Sequence, residues 1–376
     1  MMQKSYIILD AMSTGNIPEI RGYLNYFDHA NISLKTSDHY FEYESVPLDL
    51  YSYRYVMIDT YFVNRFDLRQ EYKNDLARRI TALDKLNFIP VFANLWERHN
   101  FKNSKTETLA LFQHMLQKSN SSRYGELHGS RSFFWWLMYE KYIKSGLIDY
   151  LKIDHSIKSY DFLYLNKQPR AHRIHLYNQM LAIDALKKSL YTYRNDHHCH
   201  YGREIRIEKI NKSLPPQYEI PEFKDAYPQY GYDQQIYPQP YNHSRINLVT
   251  ETLADDPNSG GYPYFLTEKI WKPIICQQPF IVYGQRGYLK CLREMGFKTF
   301  SNIWDESYDD EKDWLKRGNM IANLARSLLD MDSEKLYLDT MDVRSHNLKI
   351  FSDKKILKSI ITQDVLNSLF RDLIKI

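Results

Sequence analysis

The stretch that decides the fold is INLVTET at residues 246–252, followed after a loop by YFLTEKIWKPIICQQPFIVYG at residues 264–284. Ile246–Val249 is a continuous apolar run that predicts a buried strand, and Glu268–Cys276 has the apolar spacing of a helix. Pro279–Tyr283 predicts a second buried strand. Strand, helix and strand in this order predict a parallel sheet with helices packed on its faces.

The same order of elements is predicted in the first 150 residues. Asp67–Leu86 has the pattern of a charged amphipathic helix and Phe133–Ile148 that of an apolar helix, whereas Gly125–Ser132 is predicted to be a loop. Buried strands are predicted at Tyr6–Leu9, Tyr55–Ile58 and Phe88–Ala93. The N-terminal part of the chain is therefore predicted to be α/β as well.

A strand at Tyr160–Leu165 and helical spacing after Pro169 begin a second α/β region. A further short strand is predicted at Phe297–Phe300, and the Pro-, Tyr- and Gln-rich residues 194–244 are predicted to be an insertion or long loop. The predicted parts are an N-terminal α/β domain at 1–155, a C-terminal α/β domain at 156–345 and a helical tail at 346–376.

Composition excludes several classes of protein. Hydrophobic residues make up 43% and charged residues 26%, as in globular proteins, and a pI near 8.6 is only mildly basic. Three cysteines without regular spacing do not form a disulfide framework, and the adjacent residues of HHCH at 197–200 cannot all reach one ion. Without a signal or membrane segment, the chain is predicted to be cytoplasmic, in the host cytoplasm if the protein is viral.

The FLTEK segment carries the first candidate site. Glu251 ends the strand, and Thr267, Glu268 and Lys269 begin the following helix, directly after Phe265 and Leu266. The free N–H groups of a helix N-terminus and a nearby Lys can bind a diphosphate, while an acidic side chain can accept ribose hydroxyls. The same residues also fit an ordinary Thr N-cap with charged first-turn neighbours. The residues alone leave both interpretations open.

A second candidate site is YLNKQPRAHR at residues 164–173. Its polar members follow a predicted strand and open a helix, where cations oppose the helix dipole and so are disfavoured for structure alone. Arginine forms bidentate contacts with phosphate oxygens, which favours a phosphate-binding role. The candidate donor-binding residues here are Asn166, Lys167, Arg170 and Arg173.

The first stretch resembles the donor-site motif of the family-ten α-1,3-fucosyltransferases, in which an acidic strand end precedes a (Y/F)-x-TEK helix start, an apolar helix and a P-x-x-x-G strand. The residues that carry the resemblance are Glu251, Phe265 to Lys269, and Pro279 to Tyr283–Gly284. Glu251–Thr252–Leu253 replaces the acidic-Asn-Ser segment of that family. The longer form FLTEK-x-WKPI, with QPF and a Trp-Asp-Glu-Ser-Tyr run further on, is similar to phage and microbial glycosyltransferase-like proteins.

The resemblance implies a GT-B-like arrangement, in which two Rossmann-like α/β domains face a cleft and the final helix crosses back to the first domain. It implies a glycosyltransferase that moves a sugar from a nucleoside-diphosphate sugar to a hydroxyl without an obligatory metal or cofactor. An inverting transfer is expected, and a retaining mechanism stays open. Glu268 would hold the ribose, Lys269 the diphosphate, and Arg170 or Arg173 a second diphosphate contact. Residues 156–345 would bind this donor and residues 1–155 would form the acceptor side.

An inverting transfer needs a base that takes the acceptor proton, and the N-terminal domain is expected to supply it. Asp10 after the first strand is the first candidate and Glu97 after the third is the second. The acceptor is either a glycan or a hydroxymethylated base of phage-type DNA, which would have to be flipped out of its stack. The alternative is a non-catalytic nucleic-acid-binding or virion-associated protein on the same fold.

Overall fold

The computed structural model describes the chain in segments, and the following statements concern these segments alone. In the strands before residue 130 and at residues 368–370 the backbone alone is described. The described residues are 4–9, 22–28, 32–36, 51–59, 89–94, 125–128, 131–154, 158–166, 169–192, 236–254, 264–329 and 331–370.

The chain forms two compact units, which are described separately. The first comprises Met1–Leu137 and Lys354–Ile376, and the second comprises Met138–Asp353. The first boundary lies within an apolar helical stretch, and the second lies between two C-terminal helices. The sequence-based limits at residues 155/156 and 345/346 stay predictions.

The first unit contains a five-stranded parallel sheet with the order β2-β1-β3-β4-β5. The three predicted strands are confirmed as β1, β3 and β4: β1 and β3 extend beyond the predicted runs, and β4 is shifted by one residue. The bounds are β1 Lys4–Leu9, β2 Ile32–Thr36, β3 Tyr51–Asp59, β4 Ile89–Asn94 and β5 Gly125–His128.

The prediction of a loop at Gly125–Ser132 is wrong, because Gly125–His128 forms the edge strand β5. Its register pairs Val91 with Gly125 and Asn94 with His128. An edge strand has one neighbour, so it can pair through its backbone without the continuous apolar run that reveals a central strand. The other edge strand, β2, has the sequence ISLKT and was missed for the same reason.

Helix α1 at Phe133–Tyr139 confirms the predicted apolar helix, which continues as a π-helical turn at Glu140–Lys144 and a 3₁₀ turn at Leu147–Tyr150. Its residues from Phe133 to Tyr139 are all buried. Long apolar side chains on every face, including Trp135, suit a helix that is covered all round.

The second unit contains a four-stranded parallel sheet with the order β7-β6-β8-β9. Every residue of the central strand β8 is buried, and its Arg245 pairs with Asp161 at 2.8 Å. The parallel α/β class predicted from the sequence is thereby present in both units. The strand bounds are β6 Tyr160–Leu165, β7 Ser189–Thr192, β8 Ser244–Thr250 and β9 Phe280–Tyr283.

Helices connect these strands and continue to the C-terminus. The predicted helices after Pro169 and at Glu268–Cys276 are confirmed, with small differences at their ends. The helix bounds are α2 Ala171–Ala182, α3 Pro238–His243, α4 Glu268–Ile275, α5 Tyr288–Glu294, α6 Trp314–Leu328, α7 Ser333–Asp339, α8 Met341–Ser352 and α9 Lys354–Phe370.

The predicted strand at Phe297–Phe300 is wrong, because these residues pair with no strand. The side-chain amide of Asn347 takes the place of a neighbouring strand: its Oδ1 accepts from Lys298 N at 2.8 Å and its Nδ2 donates to Lys298 O at 2.9 Å. Phe297 and Phe300 are buried, which explains the strand-like pattern. Of the predicted insertion at 194–244, residues 194–235 lie outside the described segments and Pro238–His243 form α3.

Helix α9 belongs to the first unit, as the resemblance implied for the final helix. Asp364 anchors it: one carboxylate oxygen accepts from Arg131 Nε at 2.9 Å and pairs with Arg131 Nη2 at 2.8 Å, and the other accepts from Ser132 Oγ at 2.6 Å. Asp364 is 8% exposed, so this pair is largely removed from water.

Candidate functional site

The carboxyl end of the second sheet collects the polar residues of the candidate site. In parallel strands these ends meet at the same edge, and ligands of open α/β sheets bind there. Asn166 directly follows β6, Glu251 follows β8, and Gly284 and Gln285 follow β9. The first turn of α4, which begins at Glu268, packs at this same edge through contacts with Glu251.

Glu251 has a fully buried carboxylate that accepts four hydrogen bonds from the protein. Its Oε1 accepts from Thr267 N at 3.2 Å and from Tyr288 OH at 2.6 Å. Its Oε2 accepts from Thr267 Oγ1 at 2.6 Å and from Thr252 N at 3.1 Å. The carboxylate therefore fixes the end of β8, the start of α4 and the ring of Tyr288 relative to one another.

Gly284 makes room for this arrangement. A Cβ atom at residue 284 would lie 2.6 Å from Cδ2 of Tyr288, closer than two carbon atoms can approach. The Tyr288 ring therefore packs directly over the glycine backbone, and its hydroxyl reaches Glu251. This contact gives a physical reason for glycine at the end of the Pro279–Gly284 segment.

Thr267, Glu268 and Lys269 form a compact polar group at the start of α4. Lys269 Nζ donates to Glu268 Oε1 at 2.7 Å and to Thr267 Oγ1 at 3.0 Å. Burial by itself raises the pKa of Glu268, but the charges of Lys269 and Lys272 outweigh it and hold the pKa below its usual range. Glu268 is therefore an ionised acceptor beside a cation at a helix N-terminus.

Arg173 and His172 are directed inward, toward the backbone at the end of β8. Arg173 Nη2 donates to Thr250 O at 3.1 Å and to Glu251 O at 3.0 Å, and His172 Nε2 donates to Glu251 O at 2.9 Å. Burial and the neighbouring Arg173 cation lower the pKa of His172 to about 3, so its ring is neutral. Burial and Arg170 lower the pKa of Arg173 to about 10. Both side chains hold the strand end in place.

Asn166 and Arg170 each have a buried donor that nothing in the described structure accepts. Asn166 is 3% exposed; its Oδ1 accepts from Thr250 Oγ1, and its Nδ2 is buried with no partner. Arg170 lies at the N-cap of α2, and its Nε is likewise buried with no partner. Buried donors are almost always paired in folded proteins, so these two are candidates for contact with a ligand.

Gln285 is a third such residue, and the sequence analysis missed it. The side chain is 1% exposed, its Oε1 accepts from Phe265 N at 2.9 Å, and its Nε2 has no partner among the described residues. Its position two residues after the end of β9 is the signal that could have found it, because the residues that follow β6 and β8 are candidates for the same reason.

The predicted site residues divide into three groups. Asp10, Glu97 and Lys167 lie outside the described residues. Thr267 and Phe265 are buried at the site, where Thr267 occupies the N-cap position of α4 and its hydroxyl binds Glu251 instead of the helix backbone. The remaining donor-site candidates lie at the carboxyl edge of the second sheet with the roles given above: Asn166, Arg170, Arg173, Glu251, Glu268 and Lys269.

The described residues hold neither a metal-ligand cluster nor a membrane-spanning helix. They contain no cluster of three or more His, Cys, Asp or Glu side chains placed to hold a metal ion. In the part of the chain that the structure covers, no helix combines the length and the apolar character needed to cross a membrane.

Comparisons with known proteins give only a distant likeness. No family model matches the chain, and no curated protein sequence matches it. A crystal structure of an α1,3-fucosyltransferase gives a TM-score of 0.38 at 11% identity and covers 94% of this chain and 93% of that chain. A structure with GDP gives 0.34 at 12% identity, covering 98% and 90%, and one with GDP-fucose gives 0.30 at 13%, covering 94% and 90%. Values this low carry no argument about function, which rests on the site itself.

Proposed function

We propose that the protein is a glycosyltransferase that binds a nucleoside-diphosphate sugar at the carboxyl edge of its second sheet. One observation carries the proposal: three buried donors with no partner among the described residues lie at this edge, where the Glu268–Lys269 pair also lies. They are Asn166 Nδ2, Arg170 Nε and Gln285 Nε2. A ligand rich in acceptor oxygens, with negative charge and ribose hydroxyls, complements this combination of donors, cations and a carboxylate.

The diphosphate is assigned to Arg170, Lys269 and the first turn of α4. An arginine and a lysine supply charge-assisted donors, and the N–H groups at the start of an eight-residue helix add their partial positive charge. Lys269 shares its ammonium group with Glu268 and Thr267, which keeps it in place before a ligand arrives. The ionised Glu268 is assigned to the ribose hydroxyls.

Glu251 and Arg173 take part indirectly in this proposal. Their polar atoms bind the end of β8 and the start of α4, so they fix the positions of the groups that contact the donor. Holding ligand-binding groups in place before the ligand binds reduces the entropy lost on binding. Replacing either residue is expected to weaken donor binding through misplacement of Lys269 and Glu268.

The proposed reaction is the inverting attack of an acceptor hydroxyl on the anomeric carbon of the sugar, with departure of the nucleoside diphosphate. The cations at the site stabilise the charge that develops on the leaving diphosphate. A carboxylate of the first unit takes the acceptor proton, with Asp10 as the first candidate and Glu97 as the second. The acceptor is proposed to be a glycan hydroxyl or a hydroxymethylated base of DNA.

A thermal-shift screen of GDP-, UDP-, ADP- and CDP-sugars, including GDP-fucose, tests the proposal. A donor at about 100 times its Kd stabilises the folded protein by about 2.7 kcal/mol, or roughly 5–10 °C for a domain of this size. Lys269→Ala is expected to weaken that donor at least about tenfold by calorimetry, because it removes a charge-assisted contact. Lys349→Ala is the matched control, since Lys349 is exposed on α8.

No shift with any of these donors would remove the proposal. Retention on DNA that weakens with salt, without any nucleotide-dependent shift, would instead favour the non-catalytic nucleic-acid-binding alternative. Equal donor affinity of Lys269→Ala and the wild type would exclude Lys269 from the donor site.

A further inference from the structure

Two glutamines flank β9, and both are 1% exposed. Gln278, before the strand, uses its whole amide: Nε2 donates to Ser244 O and Ser244 Oγ at 2.8 Å each, and Oε1 accepts from Asn247 Nδ2 at 3.2 Å. This bonding is normal for a buried amide. Gln278 thus shows what a purely structural glutamine does in this sheet.

Gln285, after the strand, uses only half of its amide. Phe265 N donates to its Oε1 at 2.9 Å. Because a backbone N–H can only donate, it must face the oxygen of the amide, and the orientation of the amide group is thereby fixed. The Nε2 group is held in the opposite direction, buried and without a partner among the described residues.

An unpartnered buried amide donor weakens folding, and a ligand that supplies an acceptor removes that cost. Gln285 lies at the ligand-binding edge of the sheet, and the residue that fixes it, Phe265, begins the segment that leads into α4. Gln278 lies at the opposite, amino end of β9, before the strand begins. The two amides therefore differ in both bonding and position.

The surroundings of Gln285 favour a neutral acceptor over a phosphate. Its carbonyl accepts from Tyr288 N at 3.1 Å, and the hydroxyl of the same tyrosine donates to the buried carboxylate of Glu251. Next along the chain, Arg286 directs its Nε to Asp310 O at 2.9 Å. The diphosphate is assigned to Arg170, Lys269 and the first turn of α4, which leaves a keto or hydroxyl oxygen of the donor for Gln285.

We propose that Gln285 Nε2 donates to a neutral oxygen of the bound nucleotide sugar and so determines which donor the protein accepts. The oxygen is either a keto oxygen of the nucleobase or a hydroxyl of the transferred sugar. A fixed donor selects ligands that present an acceptor and rejects those that present another N–H, because the buried group is then left unpaired. This inference rests on the proposed function of the same site.

Calorimetric titration of the wild type and two variants with nucleoside diphosphates and their sugar conjugates tests the inference. Gln285→Glu keeps the acceptor for Phe265 N and removes the donor, and its Kd is expected to rise at least about tenfold. Gln285→Met removes the donor without adding charge, with an expected rise of about threefold to tenfold. If the variants bind free GDP or UDP more weakly than the wild type, Gln285 contacts the base. If they bind only the sugar conjugates more weakly, Gln285 contacts the sugar.

Gln278→Glu is the matched control, because it makes the same change in an equally buried amide whose Nε2 has partners. It is expected to lower the melting temperature and to leave ligand Kd within about twofold of wild type. Compared with Gln278→Glu, the Gln285 variants are expected to lose less in melting temperature and more in ligand affinity.

Equal affinity of both Gln285 variants and the wild type for every ligand would overturn the inference while leaving the proposed function in place. Failure of both variants to fold would also overturn it, because the bond from Phe265 N to Gln285 Oε1 would then be sufficient reason for a glutamine at this position. Absence of binding by the wild type would instead remove the proposed function together with this inference.

Discussion

Replacement of Glu251 by Gln is the most direct test of the site geometry. Each carboxylate oxygen accepts from one backbone N–H and one hydroxyl: Thr267 N and Tyr288 OH at Oε1, and Thr252 N and Thr267 Oγ1 at Oε2. A hydroxyl can rotate to accept from the new amide, but a backbone N–H cannot. Whichever way the amide lies, one backbone N–H faces an N–H₂ group.

The expected loss in the free energy of unfolding follows from these four hydrogen bonds. A buried N–H left without an acceptor costs about 1–3 kcal/mol, and loss of the charge in the remaining bonds costs roughly 1 kcal/mol more. Water reaches the half-buried Thr252 more easily than the buried Thr267, which favours the orientation that sacrifices the Thr252 bond. We therefore expect Glu251→Gln to lower the free energy of unfolding by about 2–3 kcal/mol.

The assay is guanidinium or thermal unfolding followed by circular dichroism, where this loss corresponds to a fall of roughly 4–12 °C in melting temperature. Glu294→Gln on the exposed face of α5 is the control, with an expected change within about 0.5 kcal/mol. A double-mutant cycle of Glu251→Gln with Tyr288→Phe should give a coupling energy of about 1 kcal/mol. Wild-type stability of Glu251→Gln would refute the reasoning that this carboxylate is fully used by the protein.

Three further predictions concern stability. The pKa of the buried His172 ring is about 3, against an ordinary 6.5, so its contribution to stability is complete above pH 6.5 and decreases as the pH is lowered. At pH 5 about 2 kcal/mol of this stability is lost. His172→Gln should remove this part of the pH dependence of the free energy of unfolding. Asp364→Asn removes the carboxylate charge that pairs with the largely buried Arg131 and should cost about 3 kcal/mol in chemical unfolding. Gly284→Ala drives a Cβ into the Tyr288 ring and should cost about 1–3 kcal/mol in thermal unfolding.

Each of these three has a control and a contradicting outcome. For the first, unfolding of His172→Gln above pH 7, where the His172 ring of the wild type is neutral in both states, is the internal control, and an unchanged slope between pH 7 and 5 would contradict the prediction. Asp28→Asn breaks an exposed pair with Lys358 and should cost less than about 1 kcal/mol, so equal effects of Asp28→Asn and Asp364→Asn would contradict the second. A gain in stability of about 0.4–1 kcal/mol in Gly284→Ala, as for an unhindered glycine, would contradict the third.

Much of the fold follows from local patterns in the sequence. The continuous apolar runs at Tyr160–Leu165 and in β8 mark central strands of a parallel sheet, because both faces of such strands are covered. The polar edge strands β2 and β5 carry no such pattern, and pairing with a neighbour reveals them. Phe297–Phe300 has the pattern without the pairing, because the Asn347 amide binds its backbone.

The site divides in the same way. The sequence by itself determined which polar residues follow each strand of the second sheet and begin α2 and α4, since those positions depend only on where apolar runs stop. The tertiary structure decided what each of those residues does. Arg173 donates to the backbone at the end of β8, and Arg170 Nε has no partner among the described residues. All four hydrogen bonds of the Glu251 carboxylate come from the protein, one of them from Tyr288. Such roles depend on contacts between residues far apart in the chain, as between Glu251 and Tyr288. Only packing of the elements brings those residues together, and local spacing carries no record of it.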